Sequence, residues 1–92
     1  MTKTLDEYRH KLINKILFAV SHDEVKRYCD AAVNELESKQ LNGYLVARFL
    51  EKTTNDLEQF DPMNKEAQQW SNIRAARIFC YRLKQHYSFS HE

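Results

Sequence analysis

Apolar residues recur every three or four positions along almost the whole chain, the spacing that lines one face of an α-helix. Leu5, Tyr8, Leu12, Ile13, Ile16, Ala19 and Val20 fall together at about 100° per residue, predicting a helix from Thr4 to Val20. Thr4 and Glu7 have capping-box spacing at its start. Arg9 lies inside the apolar face, so its stem is expected to be half buried with its head in water. A second box, Ser21 and Glu24, opens a helix to about Gln40 with the stripe Val25, Cys29, Ala32, Val33 and Leu36 and Tyr28 on its flank. Asp23 and Glu24 in its first turn and Lys39 in its last suit the helix dipole.

Leu41-Asn42-Gly43 is the clearest break, and Gly43 is the natural residue to close a helix in the left-handed conformation. A third helix, Tyr44 to Gln59, carries the face Val46, Phe49, Leu50, Thr53, Leu57 and Phe60. Asp61 as N-cap and Pro62 at the first helical position predict a fourth helix from Pro62 to about Tyr87. Its core face is Ile73, Ala76, Cys80, Leu83 and Tyr87, with Trp70 and Phe79 flanking it on opposite sides and Ser88 to Glu92 as a frayed tail. Four helices with short connections give an all-α, up-down-up-down bundle with antiparallel neighbours, one domain over residues 1–92.

Composition supports this. One glycine and one proline in 92 residues are too few for the frequent turns of an all-β fold. No apolar run reaches the roughly 18 residues of a membrane span. The opening Met-Thr-Lys-Thr-Leu is not a secretory leader, so a soluble, cytoplasmic protein is expected. Cys29 and Cys80 lack metal or redox spacing and read as reduced core thiols.

The candidate chemistry is thin. Glu7 and His10 have the Glu-x-x-His spacing used in di-iron bundles, but they lie on the polar side of their helix, where no core metal can be held. His22, His86 and His91 have no partner at the spacing of a helical zinc site. His22-Asp23 alone is far from a phosphohydrolase ligand set. A single glycine excludes a glycine-rich phosphate loop. No catalytic residue, metal or cofactor is assigned, and a non-enzymatic role is expected.

Charge and aromatics carry more. The net charge is +1, but it divides as +2 over residues 1–20, −2 over 21–40, −2 over 41–61 and +3 over 62–92. With the first and fourth helices adjacent, basic and acidic helices would form opposite sides of the bundle. From Ala67 to His91 there is no acidic residue, while Arg74, Arg77, Arg82 and Lys84 form a basic face. Trp70, Arg74, Ile78 and Tyr81 lie along one flank outside the core stripe, and Trp, Tyr and Arg are the residue types that dominate binding hot spots. The expected function is a protein-interaction or regulatory module that self-associates, as a dimer, through that flank, with another protein as a further possible partner. The alternative is nucleic-acid binding on the basic face. The helix after the Gln40–Gly43 turn counts against it, because a net acidic helix is a poor recognition helix.

Overall fold

The first two helix starts follow the expected capping chemistry. Thr4 accepts from the Glu7 amide at 3.1 Å while Glu7 Oε1 accepts from the Thr4 amide, and α1 (Leu5–Leu17) begins there. Ser21 accepts from the Glu24 amide at 3.2 Å to open α2 (His22–Ser38). Glu24 reaches one residue further back than a reciprocal box requires and accepts from the Val20 amide. Asn42 accepts from the Leu45 amide at 2.9 Å and opens α3 (Gly43–Glu58). The last helix is α4 (Ala67–Ser90). The computed structural model describes residues 4–61, 63 and 65–90, and no strand occurs among them.

These elements form the expected all-α four-helix bundle. Its core joins Leu12, Ile16, Val25, Leu36, Val46, Leu50, Leu57, Ile73 and Ala76, drawn from every helix. The stripes read from sequence supply the core, Val20 excepted, with Leu5, Tyr8, Ala32, Phe60 and Leu83 half-buried at its edge. Thr53 is buried, and its hydroxyl donates to the Phe49 carbonyl at 2.8 Å. α4 is the organising helix. It packs most extensively against α3 and next against α2, while the consecutive pair α2 and α3 touches least. At about 1.5 Å per residue its 24 residues span nearly the full 38 Å length of the molecule. No helix among the described residues is long and apolar enough to cross a membrane.

Four local expectations are corrected. Gly43 does not close α2; it is the first residue of α3, and the left-handed residue is Gln40, with φ of 62°. The Leu41 amide donates back to the Leu36 carbonyl and the Gln40 amide to that of Glu37, the paired bonds of a Schellman closure. The glycine comes too late for this role, because Asn42 must already be extended to cap α3.

α1 ends at Leu17, three residues early, because Ser21 needs extended backbone as a cap and the chain reverses over 18–20. Ala19 is buried in that reversal, but Val20 turns outward and is 76% exposed.

α4 begins at Ala67 rather than near Asp61. Asp61 Oδ1 does accept from the Met63 amide at 2.9 Å, as a cap would, but α4 does not follow directly, and Lys65 folds back over the Phe60 ring. Pro62 itself lies outside the described residues. At the other end the helix continues to Ser90 through most of the expected tail.

The Arg9 head is not in water. It donates to Asp6 on its own helix at 2.7 Å and to Asp56 of α3. Burial alone would lower its pKa, but the hydrogen bonds to Asp56 and Asp6 outweigh that and raise it.

Candidate interaction surface

α4 has an inner and an outer face, and each is built differently. On the inner face Asn72 is fully buried. Its Nδ2 donates to the Ala19 carbonyl at 2.8 Å, and its Oδ1 accepts from Gln68 at 2.9 Å. This ties α4 to the α1–α2 reversal. Nearby, His22 Nε2 and Ser71 Oγ lie 2.7 Å apart across the α2–α4 contact.

Further along, the buried thiols of Cys29 and Cys80 face each other between α2 and α4 and are free. A hydrogen bond to Cys80, together with burial, pushes the Cys29 thiol far up, so it has no thiolate character at neutral pH. Tyr87 closes this seam. Burial, and then its hydrogen bond to Glu37 of α2, pushes its phenol up to about 12.

The basic residues of α4 divide by their neighbours. Lys84 donates to Glu51 of α3 at 3.0 Å, and that hydrogen bond holds the Glu51 carboxyl below its usual range. Arg77 pairs with Glu58 of α3 at 3.4 Å. With Arg9–Asp56, every one of these cross-helix pairs joins a basic helix to acidic α3. Opposite charges therefore meet where the basic helices α1 and α4 border α3. Arg74 and Arg82 are different. Among the described residues neither side chain has an ion pair or hydrogen bond.

These two arginines bracket the outer face. Ile78 and Tyr81 stand between them, 53% and 58% exposed. On one side a groove of about 590 Å³ runs from His22 and Ala67 past Trp70 and Ser71 to Ile78 and Phe79. A second depression on the α3 side is bordered by Tyr81, Gln85, Thr54 and Glu58. Arg74, Ile78 and Arg82 line both. Trp70 and Phe79 are half-buried: each packs against the core and also borders the groove.

The flank Trp70, Arg74, Ile78 and Tyr81 is thus one contiguous surface, whereas Arg74, Arg77, Arg82 and Lys84 are not a single free basic face. Sequence reasoning missed His22, Ser71 and Asn72. Ser71, Arg74, Ile78 and Arg82 do recur at helical spacing, a signal legible in the chain, but nothing in the sequence places α2's first residue beside them.

Glu7 is occupied in the α1 cap and His10 is exposed beside it. Among the described residues no three His, Cys, Asp or Glu side chains cluster as a metal site would require. His91 lies outside the described residues. No protein-family model, curated protein or solved structure matches this chain.

Proposed function

We propose that this chain is a non-enzymatic protein-interaction module whose binding surface is the outer face of α4, acting in a reducing, cytoplasmic setting that suits two unbridged core thiols. One observation carries the reading. Two exposed apolar side chains, Ile78 and Tyr81, sit between two arginines that have no partner among the described residues, while Arg77 and Lys84 on the same helix are neutralised by α3. Exposed apolar surface framed by Arg and aromatic side chains is the composition of an interface centre. The occupant within this reading is a second copy or a different protein. Nucleic acid is less well served, because the paired Arg77 and Lys84 bring Glu58 and Glu51 to the same edge.

The test has two arms. Sedimentation across a concentration series compares the native chain with Ile78→Glu. In cells, a photo-crosslinking amino acid at position 78 is compared with one at Lys26, which is exposed on α2. Self-association abolished by Ile78→Glu, or a discrete protein adduct from position 78 and none from position 26, is the expected result. A monomer that crosslinks to no protein from position 78 overturns the reading.

A further inference from the structure

We infer that the occupant of this face is an acidic amphipathic helix from a different protein, with two carboxylates about two turns apart and a large apolar side chain midway between them. This rests on the reading of α4 as an interaction surface and specifies its partner. Arg74 and Arg82 are eight residues apart, about 12 Å along the helix, with Ile78 midway. They sit about 40° to either side of it around the helix axis. A helix laid along α4 with acidic residues at i and i+8 would place one carboxylate at each guanidinium. Its residue i+4 would then fall on Ile78 and the apolar groove edged by Trp70 and Phe79.

A single small carboxylate would satisfy only one arginine. Among the described residues no acidic side chain lines the groove itself, so the charge it selects for is negative throughout.

A second copy of this chain fits less well. A two-fold contact centred on Ile78 brings Arg74 of one copy against Arg82 of the other, and like charges placed face to face oppose association, while the neighbouring Glu58 is already paired with Arg77. The acidic row of α2, Asp23, Asp30 and Glu37, has a similar spacing. It is interrupted by Lys26 and Arg27, and Asp30 is held by Lys26 at 2.9 Å. Its outer face carries none of the exposed large apolar side chains that would meet Ile78.

The probe is a capped, alanine-rich, eighteen-residue helical peptide without tryptophan. It carries glutamate at its fifth and thirteenth positions and leucine at its second, ninth and sixteenth. Binding is read from the fluorescence of Trp70, the chain's single tryptophan, and from calorimetry. Saturable binding is expected, weakened about tenfold when both glutamates become glutamine and weakened by salt. Arg74→Glu with Arg82→Glu should lose the glutamate peptide and gain the matching lysine peptide. Both positions are exposed, and circular dichroism checks that the variant keeps its helices.

Equal binding of the glutamate and glutamine peptides overturns the inference, as does no binding at all. Tighter binding of a single-stranded oligothymidylate that displaces the peptide, or self-association that competes with it, also overturns it. A protein adduct from position 78 without a preference for the acidic peptide removes this inference alone. Absence of both removes the interaction reading as well.

Discussion

The inner and outer faces of α4 are made from the same short stretch of chain, yet they obey different physics. On the inner face each polar group has a partner: Asn72 bridges Ala19 and Gln68, and Tyr87 meets Glu37. On the outer face Arg74 and Arg82 reach no side-chain partner among the described residues, and Ile78 and Tyr81 keep more than half of their surface in water. Buried polar groups must be satisfied because desolvation is costly, whereas exposed ones are satisfied by water and can be left available. The inner face therefore holds the bundle together, and the outer face is free to be selected for something other than stability.

Substitutions can sharpen or break that contrast. The largest effect is expected at Ile73, fully buried in the centre of the inner face. Ile73→Ala should lower unfolding free energy by about 3 kcal/mol in urea titrations. Asn72→Ala should cost about 2 kcal/mol, because the Ala19 carbonyl loses its donor inside the bundle. If either were neutral, the inner face would not be what fastens α4 to the reversal.

A third effect belongs to alkaline solution. The folded chain holds the Tyr87 proton more tightly than the ordinary value of 10.0. Its contribution is whole below that value and is lost as pH rises from 10 through about 12. Urea midpoints measured across that window should fall more steeply for the native chain than for Tyr87→Phe.

A smaller effect, of opposite sign, concerns the turn after α2. Gln40→Gly should stabilise by about 1 kcal/mol, since only glycine takes a positive φ without steric cost. The smallest is expected on the outer face. Ile78→Glu should stay within about 0.5 kcal/mol of the native chain while abolishing partner binding. A large loss of stability there would mean that the two faces are not separable.

Much of this was legible because helices are local objects. Thr4, Ser21 and the apolar stripes act within a few residues of themselves, so spacing alone identifies them. The misreadings at Gly43 and Val20 share one cause, competition between neighbouring local signals. Gly43 is a good closing residue, but Asn42 needed the extended conformation just before it, and Gln40 closed the helix instead. Asp61 makes a cap's bond to the Met63 amide, yet α4 begins only at Ala67. Val20 continues the periodicity of α1, but the cap at Ser21 turned it outward. Arg9 was placed on the right face, and only the packing of α3 against α1 brought Asp56 to its head.

The candidate surface divides along the same line. Trp70, Arg74, Ile78 and Tyr81 could be set on one flank from their positions alone, because helical geometry fixes which side chains share a face. Whether an arginine on that flank is free or neutralised depends on which helix lies beside it, and charge summed along the chain carries no such information. By itself the sequence determined four helices, the Thr4 and Ser21 caps, most of the buried stripes and the acid-free flank of the last helix. The tertiary structure alone decided that Arg77 and Lys84 are held by α3 while Arg74 and Arg82 are not, and that His22 comes to the groove's edge, because side chains distant in sequence interact only where packing brings them within reach.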